Sequence, residues 1–192
     1  MDIITHAFST NPNMLWIVKQ DGIVKERLRV LCEYCLEAAM SKQGAFISSD
    51  GLGVLLAYSS MRIIPFLTSL RLTLMLIRHC ISWERVPAVL YRQYCLGKLR
   101  PKEEHLYCIM LAVKNNTNGM NTVMELKNGL YEMSKAQNLP IYAETSIRKN
   151  KTAYERFGFK TYNRFQMKGA DFIIWFLKRE PLFNRVSTLR PV

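Results

Sequence analysis

Two closely spaced cysteines are the first residues in this sequence that could do chemistry. The spacing Cys32-x-x-Cys35 is that of a redox pair or of half a zinc site. A zinc site needs a second pair of cysteines or histidines at ligand spacing, and the widely separated His6, His79 and His105 do not supply one. Both thiols also fall on the apolar face of a helical period. We therefore predict that the two cysteines pack in a core and that the protein uses no metal.

A second stretch, residues 105–145, has the pattern of an anion-binding unit. Residues 105–113 form a continuous apolar run with the length of a buried strand, and the polar residues 114–119 follow it. A helical period of apolar residues comes next, at Val123, Leu126, Leu130 and Met133. Residues 140–145 form a second apolar run, so the whole is predicted to be a parallel βαβ unit. We expect an anion in the turn, because free backbone N–H groups and the positive end of the helix dipole meet there.

The order of these motifs resembles the GNAT superfamily of N-acetyltransferases. The chain reads Leu-Ala-Val before the turn, Leu-Pro-Ile-Tyr-Ala-Glu-Thr at residues 139–145, and Tyr-Glu-Arg-Phe-Gly-Phe at residues 154–159. Residues 103–113 are similar to the start of the same strand in small-molecule enzymes of the puromycin-acetyltransferase type. The resemblance implies an α/β (α+β) fold with a mixed, twisted central sheet of about six to seven strands and helices on both faces.

The same resemblance implies an activity. An acetyl group would move from acetyl-CoA, as co-substrate, to the primary amine of a small molecule, by direct transfer in a ternary complex and without a metal. Such a transfer needs a thioester held beside the amine, a group that takes the amine proton and a group that protonates the thiolate. The alternative is a non-catalytic binding module of the same fold, which has lost acetyl-CoA and uses its basic surface for an anionic partner.

One set of residues would hold acetyl-CoA, since in the family the strand backbone pairs with the pantetheine arm and the turn cradles the pyrophosphate. The matching positions are Leu111, Ala112, Val113, Asn118, Gly119, Met120, Asn121, Thr122, Val123 and Asn150. The turn departs from the family's glycine-rich pattern, because Gly119 is kept while Asn121 and Val123 replace two other small residues. Backbone N–H groups remain whatever the side chain, so we expect the turn to bind.

Two residues would transfer protons by the same resemblance. Tyr154 matches the family's tyrosine before Glu-x-x-Gly-Phe, and its phenol could protonate the departing thiolate. Glu104 stands where family members often hold a glutamate that draws the amine proton through water, and Glu144 is the competing candidate for this base. Roles outside catalysis stay open for each residue. Tyr154 could form a hydrogen bond to the backbone, Asn150 could be a helix N-cap, and Glu104 with its neighbour Glu103 could form a solvated acidic turn.

Further predicted elements must position these residues, and periodicity and turn signals place them. They are an edge strand at 2–8, a helix at 24–42, strands at 44–49 and 54–59, helices at 65–81 and 84–99, and a closing strand pair at 160–164 and 171–178. In the helix at 84–99 the apolar period predicts which residues face inward. They are Val86, Val89, Leu90 and Tyr94.

The length of 192 residues fits one domain with a full-sized core. We expect the domain to cover residues 1–180 and a C-terminal tail to follow at residues 181–192. By the resemblance, residues 61–100 form a helical insertion that shapes the acceptor side. The broad apolar surface of its first helix leaves several roles open: plain core packing, a substrate cavity, a homodimer contact or a membrane surface.

The formal net charge of +12 and the pI near 9.7 raise the question of a polyanionic partner. The basic residues are spread along the chain, so we expect a diffuse basic surface and no nucleic acid partner. A membrane span is not predicted, because the longest uncharged run in the apolar segment 61–83, residues 63–70, falls far short of the roughly 20 residues needed. Irregular cysteine spacing and the absence of a signal-peptide pattern predict a cytoplasmic protein.

Overall fold

The protein contains a six-stranded mixed sheet. The structure is a computed structural model and describes residues 1–114 and 119–181. Its strands are β1 (Ala45–Ile47), β2 (Gly53–Ser59), β3 (Leu106–Val113), β4 (Ile141–Thr145), β5 (Lys160–Phe165) and β6 (Ile174–Arg179). Their order across the sheet is β1-β2-β3-β4-β6-β5. The pair of β3 and β4 is parallel, and the other neighbouring pairs are antiparallel. This arrangement confirms the predicted fold class and its βαβ unit.

Helices cover both faces of the sheet. They are α1 (Asp2–Ala7), α2 (Pro12–Ile17), α3 (Val24–Ser41), α4 (Phe66–Leu76), α5 (Val86–Leu99), α6 (Gly119–Gln137) and α7 (Arg148–Arg156). A π-helical turn, Ile77–Ile81, continues α4, and a 3₁₀ turn, Trp83–Arg85, precedes α5. The helices α1 and α3 pack on one face, and α6 packs on the other, where α7 joins it. The helix α6 is therefore the crossover that the parallel pairing of β3 and β4 requires.

Each face of the sheet carries its own apolar core. Cys32 of α3 and Ala112 of β3 belong to one core, and Leu55 of β2 and Leu126 of α6 belong to the other. Cys32 is fully buried and Cys35 packs against the same core, which confirms the predicted packing of this pair. Within the part of the chain that the structure describes, no three His, Cys, Asp or Glu side chains lie close enough together to hold a metal ion.

Two predictions from periodicity are wrong. Residues 2–8 contain helix α1 rather than an edge strand, because so short a run does not separate the two periods. On α5, Leu90 and Tyr94 do not face inward but are 64% and 61% exposed. The buried residues of α5 are Val89, Arg92 and Leu96. The buried face of α5 has an arginine in its middle, so the spacing of apolar residues wrongly predicts that a neighbouring face is the buried one.

The first helix of the predicted insertion is only partly buried. Leu72 of α4 is fully buried, so core packing holds for that side of the helix. The opposite side is apolar and exposed, and its residues are Phe66, Leu67, Leu70 and Leu74. No helix among the described residues is both long and apolar enough to cross a bilayer.

Candidate active site

The strands β3 and β4 are hydrogen-bonded to each other over only part of their length. Their parallel pairing ends where Cys108 lies opposite Ala143. Both strands continue beyond this point, β3 to Val113 and β4 to Thr145. Beyond it β4 is paired on its far side with β6, and β3 on its far side with β2. A gap therefore opens in the middle of the sheet, at the carboxyl ends of the two parallel strands, where ligands bind in open α/β sheets.

A β-bulge in β3 accompanies this gap. The pairing of β2 with β3 shifts register between Leu56 and Ala57, which leaves Ile109 of β3 as an extra residue. A bulge bends its strand and resets which residues share a face. As a result Cys108 and Leu111, three residues apart, line the same cavity. Bulges are frequent beside active sites, and this one directly follows Cys108, the last residue of β3 that pairs with β4.

The first cavity at the gap, the α6 cavity, lies between β3, α6 and α7 and has a volume of about 280 Å³. Its wall is mainly aliphatic and aromatic. Five residues predicted for the site lie in this wall: Leu111, Val113, Val123, Asn150 and Tyr154. Lys127 and Tyr131 also line the cavity, and the Lys127 ammonium lies 4.8 Å from the centroid of the Tyr131 ring. The structure thus brings residues from one strand and two helices together around a single apolar cleft.

Tyr154 faces the α6 cavity because of the way in which α7 ends. The Gly158 N–H donates to the Glu155 carbonyl, and the Phe159 N–H donates to the Tyr154 carbonyl, both at 3.0 Å. These two bonds form a Schellman motif, for which Gly158 adopts the left-handed conformation with φ of +86°. The rings of Tyr154 and Phe159 pack edge to face, with centroids 5.1 Å apart. The signature Tyr-Glu-Arg-Phe-Gly-Phe therefore sets the backbone that aims the phenol at the sheet.

Replacing Gly158 with alanine is expected to lower the free energy of unfolding by about 1 to 2 kcal/mol, because the left-handed conformation strains any residue with a Cβ. For a chain of this size the melting temperature should fall by about 2 to 8 °C in a thermal scan. Gly129→Ala, at an open position inside α6, is the matched control and should be neutral or stabilising. Equal losses in both variants would contradict the assigned strain at Gly158.

Tyr154 and Cys108 are neighbours in the wall of the α6 cavity, and each affects the pKa of the other. Burial, together with the nearby Cys108, raises the pKa of Tyr154 well above its usual value. Burial also raises the pKa of Cys108 to about 12, although the neighbouring Tyr154 works against it. Both groups therefore hold their protons at neutral pH. The phenol can act as a proton donor, and the thiol is not ionised for nucleophilic attack.

A second cavity, the α5 cavity, lies on the opposite face, between α2, α5, β3 and β4, and has a volume of about 130 Å³. Its wall is more polar and includes Arg92, Arg100 and Glu144. Arg100 clamps Glu144 with two hydrogen bonds, from Nε to Oε1 at 2.6 Å and from Nη2 to Oε2 at 3.2 Å. Burial opposes the charge of Arg100, but Tyr107 and Glu144 outweigh it, so the pKa of Arg100 is raised. The clamp keeps the Glu144 side chain in a fixed orientation inside the cavity.

Cys108 lines both cavities. It occupies the last position of β3 that pairs with β4, so the α6 cavity and the α5 cavity meet at the point where these two strands separate. Tyr154 stands on one side of this junction and Glu144 on the other. A proton donor and a carboxylate therefore flank a single point that is accessible from two faces of the sheet.

Comparison with known proteins identifies the fold of this chain. No protein-family model matches the sequence, and no curated protein matches it significantly. Solved structures do match, among them an acetyltransferase of Corynebacterium glutamicum described as histone acetyltransferase HPA2 and related acetyltransferase, with 18% identity over 96% of this chain and 91% of that chain and a TM-score of 0.64. Arylalkylamine N-acetyltransferase 2 from Aedes aegypti matches with 16% identity over 94% of each chain and a TM-score of 0.58.

The C-terminal condensation domain of Ebony, in complex with β-alanyl-dopamine, matches with 13% identity over 93% of this chain and 91% of that chain, and with a TM-score of 0.64. Identities this low show a shared fold and nothing finer. The chain has the GNAT fold. The mixed sheet and the helices on its faces are those of this fold. None of the three structures is described as a puromycin acetyltransferase, so that closer resemblance stays a prediction.

Several residues predicted to hold acetyl-CoA lie outside the α6 cavity of this GNAT-fold chain. Ala112 points to the opposite face and is 1% exposed in the α3-side core. The first turn of α6 contains Gly119, Met120 and Asn121, of which the last two are exposed. Asn118 lies outside the described residues. These positions can contribute backbone groups to a ligand, whereas the cavity wall itself comes from their neighbours.

Thr122 has a contact that its sequence position does not suggest. Its hydroxyl donates to Asp50 Oδ2 at 2.7 Å, in the turn between β1 and β2. The same turn holds α6 through Ser49, whose N–H and hydroxyl donate to Glu125 at 2.7 and 2.9 Å. At Gly53 an added Cβ would lie 2.5 Å from the Thr122 methyl, so only glycine permits this approach. The hairpin therefore positions the start of α6 beside the turn that follows β3.

Glu104 does not reach the junction. It is exposed, lies before the first residue of β3 and lines neither cavity. At about 3.3 Å per residue, its backbone is about 13 Å from that of Cys108. Its neighbour Glu103 is engaged elsewhere, since it accepts from the Tyr142 hydroxyl and pairs with Lys178 at 2.9 Å. The structure places Glu144, and not Glu104, in the wall of the α5 cavity.

Two arginines of the α5 cavity had no role in the sequence-based prediction. Arg100 lies 44 residues from its partner Glu144, and Arg92 lies 79 residues from its partner Asn13. No short motif links residues so far apart. The available signal was Arg92 itself, a charged residue on an otherwise apolar side of a predicted helix.

Proposed function

We propose that this protein is an acetyl-CoA-dependent N-acetyltransferase that moves an acetyl group to the primary amine of a small molecule. One observation carries the proposal: two cavities on opposite faces of the sheet meet at Cys108, where β3 and β4 part. A thioester that arrives through one cavity and an amine that arrives through the other would meet there. The amine-linked names of two proteins with this fold, the arylalkylamine N-acetyltransferase and the domain with β-alanyl-dopamine, support a small amine as acceptor.

The α6 cavity fits the pantetheine arm of acetyl-CoA. Beyond Cys108 the edge of β3 that faces β4 has left the sheet ladder, so the backbone of residues 109–113 can pair with the amides of the arm, as an added strand would. Asn150 lies at the rim and can bond to the same amides. The start of α6 favours a pyrophosphate through its dipole, and residues 115–118 of the turn lie outside the described part of the chain.

Tyr154 and Glu144 would manage the two protons of the reaction. The amine nitrogen bonds to the thioester carbonyl carbon while the carbon–sulfur bond breaks, so one proton leaves nitrogen and one reaches sulfur. Glu144 takes the first proton, directly or through one water molecule, and Tyr154 gives the second and regains it from solvent. Cys108 holds its proton at neutral pH, which favours direct transfer in a ternary complex over an acetyl-cysteine intermediate.

The acceptor would be shaped by the segment 61–100, within a single acetyltransferase domain of residues 1–180. The α5 cavity supports this role, because α5 and its C-cap supply Arg92 and Arg100. The helix α4 lines neither cavity, and its exposed apolar side suits a homodimer contact. The cytoplasmic location stays a prediction, and the tail residues 182–192 lie outside the described residues.

A thermal-unfolding scan with and without millimolar acetyl-CoA tests the proposal. A ligand at 100 times its dissociation constant stabilises the folded state by roughly 2.7 kcal/mol. For a chain of this size the melting temperature should rise by about 5 to 10 °C. Release of CoA in the presence of small primary amines is the second measurement, because binding alone does not establish transfer.

Two neighbouring positions on α7 make a matched pair for this scan. Ala153 lines the α6 cavity although it lies on the exposed side of the helix, so Ala153→Phe should fill the cavity without disturbing the core. Thr152→Phe adds the same ring one residue away, outside the cavity. The temperature rise should vanish in the first variant and persist in the second. Absence of any rise in the unaltered protein would favour the non-catalytic module that binds an anionic partner.

A further inference from the structure

Among the described residues, Arg92 is a buried arginine with no salt-bridge partner. It lies on the inner side of α5, lines the α5 cavity and is 1% exposed. Its Nη2 donates to Asn13 Oδ1, and its guanidinium lies 5.5 Å from the centroid of the Trp16 ring. Its Nε has no hydrogen-bond partner within the part of the chain that the structure describes. Among the described residues, no carboxylate forms an ion pair with it.

Such a charge is costly unless something compensates it. Burial of an unpaired ion disfavours the charged form, and the pKa of Arg92 is lowered to about 10 by burial. The neighbouring Arg100 differs, because Glu144 matches its charge. The basic and acidic side chains in the wall of the α5 cavity are thus two arginines and one glutamate, which leaves one basic side chain without an acidic partner.

Two other polar side chains of the cavity, Asn11 and Glu144, are already engaged. Asn11 Oδ1 accepts from the backbone N–H groups of Asn13 and Met14, at 3.0 and 3.2 Å, and from the Ser146 hydroxyl at 3.1 Å. The carboxylate oxygens of Glu144 both accept from Arg100. The uncompensated feature of the cavity is therefore a cation, and the ligand group that complements it is an anion.

We infer that the α5 cavity binds an acceptor that carries a carboxylate as well as an amine, and that Arg92 binds this carboxylate. The inference rests on the proposed function and names the class of acceptor, a compact amino acid. Arg92 and Cys108 lie in the wall of the same small cavity, so one molecule can place its carboxylate at the cation and its amine at the junction. The planar fork of a guanidinium suits a carboxylate, which can accept two of its N–H groups.

The test compares acceptors that differ only in the carboxylate. Glycine, β-alanine, 4-aminobutyrate and L-leucine are each assayed beside their decarboxylated amines, with acetyl-CoA and with CoA release as the readout. Rates are corrected for the fraction of neutral amine, because the carboxylate changes the basicity of a nearby amine. In the unaltered protein the best acid should exceed its own amine in kcat/KM by roughly 10- to 100-fold, the effect of a hydrogen bond to a charged group.

Variants then test whether Arg92 causes the preference for the acid over its amine. Arg92→Met keeps the length of the side chain and removes the charge, so the preferred acid should fall to the level of its amine. Arg85→Met is the matched control, because Arg85 lies 5.3 Å from the same Trp16 ring but lines neither the α5 cavity nor the α6 cavity. A merely structural role for Arg92 would lower the melting temperature and leave the ratio of acid to amine unchanged.

Each outcome decides a separate question. Acetylation of amines without preference for the acids, in the unaltered protein, overturns the inference and leaves the proposed function standing. No CoA release with any acceptor counts against the proposed function. The inference is then judged by whether N-acetyl-β-alanine raises the melting temperature of the protein with CoA more than N-ethylacetamide does, and equal effects overturn it. Because both comparisons use the unaltered protein, they hold even if Arg92→Met does not fold.

Discussion

Tyr154→Phe is expected to lower kcat for acetyl transfer by about 10²- to 10⁴-fold, the usual contribution of a positioned acid or base. Phenylalanine keeps the ring and its packing on Phe159, so the end of α7 and the α6 cavity should keep their shape. What is lost is the hydroxyl of a side chain that lines the α6 cavity together with Cys108. The rate of CoA release measures the loss, and the acetyl-CoA-induced rise in melting temperature should remain.

The pH dependence of kcat gives a second readout for Tyr154. Burial raises its pKa well above the usual value of 10, so the phenol stays protonated at every pH below about 10. The acid form is therefore not lost on the alkaline side, and kcat of the unaltered protein should not fall between about pH 8 and pH 10 through this group. An alkaline fall in that range that disappears in Tyr154→Phe would contradict the assigned pKa.

Tyr142→Phe is the matched control for this substitution. Tyr142 is 5% exposed, donates its hydroxyl to Glu103 and lines neither cavity. It therefore measures what the loss of a buried phenol does to stability alone. A similar loss of kcat in both variants would mean that Tyr154 acts through the fold and not through its proton.

The central βαβ unit could be predicted because its signals are local. The apolar run of β3, the helical period of α6 and the glycine that ends α7 are each read within about 20 residues, and each reflects one backbone requirement. Gly158 is a clear case, since the left-handed conformation of a Schellman motif explains both the glycine and the aromatic residue after it. The order of these elements then leaves few topologies open.

The gap between β3 and β4 could not be predicted in the same way. It depends on where the parallel ladder ends, at Cys108 and Ala143, and on a bulge at Ile109. No glycine, proline or polar residue marks that bulge in an otherwise continuous apolar run. Cys108 therefore reads as an ordinary core residue in the sequence, although it occupies the point where both cavities meet.

The polar contacts across the α5 cavity could also not be predicted from the sequence. The pairing of Arg100 with Glu144 joins the end of α5 to β4, and that of Arg92 with Asn13 joins α5 to α2. Such contacts follow from how layers pack, which no periodicity within one element reports. The buried Arg92 even misdirected the prediction, because it interrupts the apolar period and made Leu90 look like an inward residue.

Glu144→Gln is expected to lower kcat/KM for amine acceptors by about 10²- to 10⁴-fold, because it removes the carboxylate that would take the amine proton. Glutamine keeps the shape and one oxygen that can accept from Arg100 Nε, so the cavity wall is largely retained. The acetyl-CoA-induced rise in melting temperature should be unchanged, since Glu144 does not line the α6 cavity. Glu144→Asp keeps a carboxylate and should recover part of the lost activity.

Glu104→Gln decides between the two candidate bases. Glu104 has the position that the family resemblance favours. Glu144 instead lines the α5 cavity, where Arg100 holds it, and lies on the other side of Cys108 from Tyr154. A base must lie within hydrogen-bond reach of the proton it takes, directly or through one water, and an exposed residue about 13 Å along the chain from Cys108 does not. A large loss in Glu104→Gln with none in Glu144→Gln would restore the sequence-based assignment. The reverse result would show that the reaction draws its base from the gap that the parting of β3 and β4 creates.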